Sequence, residues 1–513
     1  MRLGRRFFTV SGLTIISRIF GIVREAAFSH FLGAGTEMDT FLVAFKFPSF
    51  FRKFFAEGGF QSIFVPYYTD YYASGKNKAS QYFSSRIFTI IFWITVSLAF
   101  IVFIFAKEFA VLMAPGFCAD PEKLALATEF TRIIFPSIVF ISLSAVYSGI
   151  LIADNQFFAF AVSPILVNIV LISSLLFGEN FLSAGRRISY GLLLAGIIQF
   201  CCFYVYLKYR KIATPLFSRI KITNKTKQFF KKLLPILAGA GVAQINVFID
   251  SLFGSILPTG TISYIYFADR FIQFPLALFG ISMGVILLPE ISRKMAKCET
   301  NCVNDIQNEA LSFTLRMTFP AVIGLISLAY FLISILYGHG KFSEISVQKT
   351  ASILRIFAIG LPAYVAAKIM AFVLFAQKDS KTPIIAALVS IAANSILSLI
   401  LMGPFQEFGL AIATSISGFI NLYIMYRKSY PSAIIVISEF KKILIASIIM
   451  LFFIEILKLL LLRSGHDTFL QAISIVVICV TGIVVYIASL FFLKDEVARS
   501  WLKKLRKRLK SDC

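Results

Sequence analysis

Charged residues are scarce in this sequence. Asp, Glu, Lys and Arg together make up 15% of its 513 residues, whereas hydrophobic residues make up 58%. A soluble protein typically has about 25% charged residues. The shortage of charge therefore excludes an ordinary soluble domain. Long apolar runs accompany it, and together they predict an all-α polytopic membrane protein.

Signatures of catalysis and of nucleotide binding are missing as well. The chain has three histidines, far apart in sequence, and no G-x-x-x-x-G-K-[ST] phosphate loop. We therefore expect no enzymatic activity and no cofactor apart from a coupling ion. Two of the seven cysteines, Cys298 and Cys302, lie close together in a basic loop without nearby histidines. A metal site at this pair is a minor alternative.

The apolar residues fall into fourteen runs of about 20 residues, the length that crosses a bilayer as a helix. The predicted transmembrane helices are 10–32, 38–68, 87–113, 125–152, 157–178, 188–207, 233–257, 262–290, 311–336, 350–376, 383–403, 408–426, 443–462 and 469–493. The second is long, and Pro48 within it predicts a bend.

Basic residues are concentrated in alternate loops. Residues 208–232 contain nine Lys and Arg and residues 494–513 contain eight, whereas 258–261 and 404–407 contain none. By the positive-inside rule we predict that both termini are cytoplasmic. The basic tail has helical spacing and is expected to lie against membrane lipids. Orientation in the membrane and contact with its lipids thus explain the net charge of +24, and we expect no nucleic acid partner.

An internal repeat divides the chain. Arg132 matches Arg355 at an offset of 223, and Asn168 matches Asn394 at 226. We predict two parallel lobes with a substrate path between them. The predicted parts are an N-terminal lobe at 1–211 (helices 1–6), a cytoplasmic basic linker at 212–232, a C-terminal lobe at 233–428 (helices 7–12), helices 13–14 at 429–493, and a basic cytoplasmic tail at 494–513.

Several charges stand inside the predicted helices. The cations are Arg18, Arg24, Lys46, Arg52, Lys53, Arg270 and Lys368, and the anions are Glu25, Asp39, Glu57 and Asp269. A charge at the bilayer centre costs about 2.5–3.5 kcal/mol, so this set must face water, each other or a ligand. The spacing of Asp39, Lys46, Lys53 and Glu57 places them on one helix face. Ion pairing within the protein can account for individual charges in this set, but not for the excess of cations over anions. That excess favours an anionic ligand, and the guanidinium of arginine suits phosphate oxygens in particular.

The stretch RIFGIVREAAFSHFLGAGTEMDTFLVAFKFPSFFRKFFAEGGFQSIFVP (18–66), together with 266–293, 336–343 and 360–383, resembles the MurJ/MviN family of lipid II flippases. The resemblance implies the fold of the multidrug/oligosaccharidyl-lipid/polysaccharide exporter superfamily. It implies movement of lipid II, the lipid-linked peptidoglycan precursor, from the cytoplasmic to the outer leaflet of the bacterial inner membrane by alternating access. The implied substrate-binding residues are Arg18, Arg24, Arg52 and Arg270, supported by Lys46, Asp39 and Glu57. Gln273 departs from the family pattern, which usually has an acidic residue there.

The resemblance also bears on the energy source. Some family members hold a sodium ion at positions that match Asp250, Asn394, Ser398, the Leu410 carbonyl and Thr414. Ser398 stands where the family pattern has an aspartate, and hard oxygen ligands with one carboxylate fewer bind a cation less well. We therefore expect weak or absent sodium binding, with a proton or a loosely held ion at Asp250.

Other functions remain open at this stage. The chain can export another polyprenyl-diphosphate-linked saccharide, whereas a cationic-drug exporter would favour an acidic cavity. A membrane phosphotransferase-type enzyme would need carboxylates clustered near one surface, and the acidic residues here are few and lie beside cations. A scaffold for cell-wall assembly is a third class, and helices 13–14 permit contacts with cell-wall synthesis proteins in addition to transport.

Overall fold

In the computed structural model the chain is folded into helices, which satisfy every backbone group inside an apolar segment as a bilayer requires. The structure describes residues 2–56, 59–73, 77–178, 181–212, 214–219, 222–296, 300–429, 437–462 and 468–495, and these residues form no strand. The helices are α1 (Arg2–Leu32), α2 (Thr36–Ala56), α3 (Gln61–Ala73), α4 (Asn77–Ile104), α5 (Ala106–Met113), α6 (Pro121–Ile134), α7 (Ser137–Ala153), α8 (Phe157–Leu176), α9 (Ala184–Tyr209), α10 (Asn224–Ile256), α11 (Thr261–Pro275), α12 (Ser282–Ala296), α13 (Thr300–Tyr337), α14 (Glu344–Ala376), α15 (Lys381–Lys428), α16 (Ile437–Leu461) and α17 (Thr468–Phe492). A 3₁₀ turn, Pro115–Ala119, precedes α6, and a π segment, Leu276–Ile281, joins α11 to α12.

Each of the fourteen predicted runs corresponds to one helix, to consecutive helices or to part of α15. Within the described ranges, ten helical stretches are long and apolar enough to cross a membrane. One of them is α15, which contains two predicted runs and leaves helical geometry at Gln406 (φ 48°, ψ −128°). The charged helices α1 and α2 are outside the ten. The all-α multi-pass architecture is confirmed, and the number fourteen stays a prediction.

The predicted helix 38–68 consists of two helices. Pro48 lies inside α2, and the interruption comes later, between Ala56 and Gln61. The Gln61 side chain donates a hydrogen bond to the Phe55 carbonyl at 2.6 Å. It therefore satisfies one of the carbonyls that the end of α2 leaves without a helical partner.

The described helices form two compact units. The first comprises Met1–Ser263 with Gly340–Phe342, and the second comprises Tyr264–His339 with Ser343–Cys513. Helix α10 belongs to the first unit by its contacts, whereas the internal repeat assigns it to the C-terminal lobe. The units are defined by contacts in space, whereas the lobes are defined by a repeat in the sequence. The units therefore do not test the predicted lobe boundaries, which stay predictions.

Aromatic side chains dominate the core of the first unit. The rings of Phe60 and Phe64 stack at 5.2 Å, and Phe229 of α10 meets the Phe60 ring edge-on at 5.9 Å. All three side chains are fully buried. Because apolar burial is the main stabilising term, Phe229 fixes the start of α10 against α3.

The connection between α13 and α14 packs on the connection between α1 and α2, and this explains why Gly340–Phe342 belongs to the first unit. The Lys341 amide donates to the His30 carbonyl at 2.9 Å. Gly33 (φ 68°) and Gly340 (φ 64°) are both in the left-handed region, and a Cβ would collide with Lys341 in the first case and with His30, near the end of α1, in the second. Only glycine permits this close approach without strain.

The described residues of the second unit include two apolar cores. One includes Leu287, Ile369 and Met370, from α12 and α14. The other joins α13 to α16 and α17 through residues such as Leu328 and Ile454. The last two helices are thus attached to the second unit through α13.

Candidate functional site

The charges of α1 form a small network in the first unit. Arg24 Nη1 donates to Asn168 Oδ1 of α8 at 2.9 Å, and Arg24 Nη2 forms an ion pair with Glu25. Asn168 Nδ2 donates in turn to the Ser17 carbonyl at 3.3 Å. The Arg24 side chain keeps 17% of its surface exposed, while Arg18 is exposed. Arg24 is therefore oriented by its neighbours yet still accessible to a ligand.

The charged stripe of α2 faces α10 and the connection that follows it. Lys46 Nζ donates to the Val247 carbonyl at 2.7 Å, and Lys53 Nζ donates to Gln244 Oε1 at 3.3 Å. Asp39, on the same stripe, bonds to the connection after α10, as described next. These three residues share one face, as their spacing predicts. Glu57, the fourth member, lies outside the described residues.

Asp39 is 1% exposed and is held at the start of α11. Its carboxylate accepts hydrogen bonds from the Gly260 amide (2.7 Å), the Ser263 amide (3.0 Å) and the Ser263 hydroxyl (2.6 Å). Lys123 Nζ lies 3.5 Å from Asp39 Oδ2 and also donates to Thr259 Oγ1. An anion at a helix N-terminus with three donors and a cation is well stabilised. These contacts are structural, and the predicted contact of Asp39 with substrate stays a prediction.

Arg270, on α11, is described with the second unit. Its Nη1 donates to Gln273 Oε1 at 3.4 Å, and its guanidinium lies 4.4 Å from the Tyr266 ring centroid. Gln273 Nε2 donates to Asp269. The departure at Gln273 therefore has a physical role: an amide serves Arg270 and Asp269 at once, whereas an ionised acid only accepts. Lys368, on α14, is exposed.

The residues of the predicted sodium site are divided between the units. Asn394, fully buried on α15, accepts a hydrogen bond from Thr414 Oγ1 at 3.4 Å. Ser398 is also fully buried, and its hydroxyl has no hydrogen-bond partner among the described residues. Asp250, half-buried on α10, belongs to the first unit. Within the second unit the predicted site therefore offers neutral oxygens alone, which fit a cation poorly, and the complete set stays a prediction.

Several buried pairs escaped the sequence analysis. Lys349 pairs with Glu407 at 2.8 Å, and Glu407 is 1% exposed. Arg316 pairs with Asp495, and Lys123 with Asp39. The internal repeat gives no indication of these pairs. It does indicate two buried polar residues, because Asn168 and Asn394 match in the repeat, and each accepts a hydrogen bond in its own unit. The described residues contain no cluster of three His, Cys, Asp or Glu for a metal, and Cys298 lies outside them.

Comparisons with known proteins agree with one another. A family model described as lipid II flippase MurJ matches residues 28–481. A relative named "Probable lipid II flippase MurJ", from Rickettsia prowazekii (strain Madrid E), is 36% identical over 434 residues, which cover 84% of each chain. A solved structure of "Lipid II flippase MurJ, inward closed conformation" has a TM-score of 0.79 at 30% identity and covers 95% of this chain and 99% of that one.

A more distant structure gives the fold alone. It is an inward-facing multidrug resistance MATE family transporter of the MOP superfamily, with a TM-score of 0.66 at 12% identity, covering 82% of this chain and 99% of that one. The helical architecture thus defines a multi-pass membrane protein with the fold of this transporter superfamily. The chain belongs to the lipid II flippase MurJ family, whose members are multi-pass proteins of the inner membrane.

Proposed function

We propose that this protein moves lipid II from the cytoplasmic to the outer leaflet of the bacterial inner membrane by alternating access, as a transporter and not as an enzyme. Family membership supports the substrate, because the matching relatives and the matching structure carry the name of lipid II flippases. The observation that carries the proposal is Arg24, an arginine inside an apolar helix that is oriented by Glu25 and Asn168 and still accessible.

The chemistry of the α1 network fits a diphosphate. A guanidinium has five N–H donors in a rigid fork, so phosphate oxygens can join Glu25 and Asn168 as acceptors on Arg24. The charged face of α2 adds Lys46 and Lys53, which increase the positive potential of the first unit. In this proposal Arg18, Arg52 and Arg270 serve the same anionic substrate.

Orientation and coupling complete the proposal. Both termini face the cytoplasm, which the basic residues of 208–232 and of the tail support. An ion or the membrane potential drives the cycle, and Asp250 carries a proton or a weakly held sodium ion. Cell-wall synthesis proteins are proposed partners in addition to lipid II and the surrounding lipids.

Transport of labelled lipid II into vesicles that contain only this protein tests the function. We expect transport by the unmodified protein. For Arg24→Ala we expect a rate at least about tenfold lower, since loss of a hydrogen-bonded charge pair between Arg24 and the diphosphate costs more than about 1.4 kcal/mol. Arg24→Lys should recover only part of the rate, because lysine has no fork. The matched control is Arg186→Ala, which removes an arginine that is paired with Glu129 and has 41% of its side chain exposed. If vesicles with the unmodified protein transport lipid II no faster than protein-free vesicles, the proposal is rejected.

A further inference from the structure

A groove of about 500 Å³ lies on the first unit, where α5, α6 and the first turns of α9 meet. Its lining includes two cations, Lys107 of α5 and Arg132 of α6, and one acid, Glu129 of α6; α9 contributes Tyr190. Both cations are exposed. Ligand pockets usually have volumes of about 300–1,000 Å³, so the groove has room for more than a single inorganic ion.

The acid in the groove is already neutralised. Arg186 of α9 donates from Nε to Glu129 Oε1 at 2.7 Å and from Nη2 to Glu129 Oε2 at 3.0 Å. This bidentate pairing occupies both carboxylate oxygens. Lys107 and Arg132 form no hydrogen bond or ion pair with another residue of the described ranges. The groove therefore keeps two positive charges that the described lining does not balance.

Arg132 lies inside a stretch that is apolar and long enough to cross a membrane, Pro121–Ala153. The stretch has 33 residues, whereas the hydrocarbon core needs about 20, so its ends extend beyond the hydrocarbon. Arg132 is about 16 Å from the start of the stretch, and its guanidinium lies 6.0 Å from the ring centroid of the exposed Phe103. An exposed arginine below the headgroups costs free energy unless it reaches an anion.

The internal repeat provides a comparison for Arg132. Its counterpart Arg355 is also exposed within a membrane-crossing stretch, and the Arg355 Nε donates to the Ile326 carbonyl at 3.3 Å. The second unit thus supplies an acceptor for its arginine, whereas the described part of the first unit supplies none for Arg132. An acceptor for Arg132 is therefore to be sought in the molecules that surround the protein.

The apolar surroundings of the groove favour a lipid as this acceptor. Leu124 and Ile133 line the groove, and Leu194, one turn beyond Tyr190 on α9, is 48% exposed. Acyl chains can pack on such side chains while a phosphate meets the cations. A free phosphate ion would instead lose hydration beside them without compensation. An acidic phospholipid complements two cations, whereas the ammonium of a zwitterionic lipid is repelled by them.

We propose that this groove binds the phosphate headgroup of an acidic phospholipid of the surrounding bilayer, with Lys107 and Arg132 as the two cations that hold it. The assignment to a leaflet rests on the proposed function: with both termini cytoplasmic, the groove opens to the outer leaflet. None of its lining residues is among those assigned to lipid II, so this lipid binds without the transported substrate.

Lipid binding to the purified full chain in detergent tests the groove. The probes are dioleoylphosphatidylglycerol, dioleoylphosphatidylcholine and inorganic phosphate, and native mass spectrometry measures the lipid retained. We expect the phosphatidylglycerol to bind at least about fivefold more tightly than the phosphatidylcholine, and inorganic phosphate not to displace it. Lys107→Gln and Arg132→Gln should each weaken phosphatidylglycerol binding about fivefold, the contribution of one cation near a membrane surface.

The matched control is Arg355→Gln, which removes the repeat counterpart outside the groove and should change phosphatidylglycerol binding less than about twofold. A gain is expected for Glu129→Gln, because it releases Arg186 from its ion pair and adds a positive charge to the groove. Equal binding of the two lipids, displacement by inorganic phosphate, or an equal loss in Arg355→Gln overturns the proposal. If the unmodified protein binds phosphatidylglycerol as expected but transports no lipid II, the proposed function is rejected and the groove is confirmed.

Discussion

Arg316 and Asp495 form an ion pair from which solvent is wholly excluded. Arg316 Nη2 lies 2.8 Å from Asp495 Oδ2, Arg316 Nε donates to Oδ1 at 3.1 Å, and both side chains are 0% exposed. Arg316 is on α13, and Asp495 follows the end of α17. The pair therefore fixes the end of α17 to α13.

Removing either partner of this pair should be strongly destabilising. Arg316→Ala leaves the Asp495 carboxylate buried without its cation, which typically costs about 3–5 kcal/mol of unfolding free energy. Denaturant unfolding of the purified protein measures the loss. The control is Glu455→Ala: Glu455 pairs with Lys458 but has 47% of its side chain exposed, so its loss should cost less than about 1 kcal/mol. Equal losses in the two variants would contradict this account.

The hydrogen bonds of Asp39 predict a graded effect on stability. Asp39→Ala leaves Lys123 buried without its anion and three donors at the start of α11 without their acceptor, so a loss of about 3–5 kcal/mol is expected. Ser263→Ala removes one hydroxyl donor and should cost about 1 kcal/mol. Thermal unfolding with each variant checks the order. The half-buried Glu37, two residues earlier on α2, provides the control as Glu37→Ala. A larger effect of Ser263→Ala than of Asp39→Ala would show that the carboxylate does not organise this connection.

Asn168 is expected to act on transport by positioning Arg24. Asn168→Ala removes one of the acceptors that hold Arg24 and should raise the half-saturating concentration of lipid II about tenfold, because Glu25 alone preorganises the guanidinium less well. Asn168→Asp keeps an acceptor but adds a carboxylate that competes with the diphosphate, so it should not restore transport. The control is Ser174→Ala, since the Ser174 hydroxyl donates to the Leu171 carbonyl of its own helix and, among the described residues, forms no hydrogen bond with Arg24. An unchanged concentration dependence in Asn168→Ala would refute the positioning role.

Sodium binding should respond to a single carboxylate. The unmodified protein is expected to show little sodium-dependent stabilisation, whereas Ser398→Asp should gain it, by about 2.7 kcal/mol at a concentration 100-fold above the dissociation constant. Thermal unfolding across a sodium series at constant ionic strength measures the gain. Ser395→Asp, on the same helix, is the control for added charge. Strong sodium stabilisation of the unmodified protein would mean that Asp250 and neutral oxygens suffice.

The helices and the charged stripe of α2 follow from local pattern. Apolar runs of membrane length define the helices, and a spacing of seven residues puts Asp39, Lys46 and Lys53 on one face. Both inferences need only residues close together in sequence. The break after Ala56 does not follow from local pattern. Pro48 is the strongest local signal of a helix interruption, and yet it lies within the continuous α2.

Distant pairings lie beyond that local pattern. Arg316 and Asp495 are 179 residues apart, and nothing in the residues next to either of them in sequence indicates the other. Lys123 likewise follows a helix start, where a solvated lysine is common. Tertiary packing decides which of these charges meet, and the sequence of a single chain carries no direct record of it.

The π segment Leu276–Ile281 gives α11 and α12 a tolerance for change in chain length. A π turn closes over one residue more than an α turn, so loss of one residue there would leave an ordinary α-helix with both flanks in register. An insertion or deletion elsewhere in these two helices would instead rotate Arg270 relative to everything beyond it by about 100°. Alignment gaps between this chain and its relatives should therefore gather at 276–281 and avoid the helices on either side.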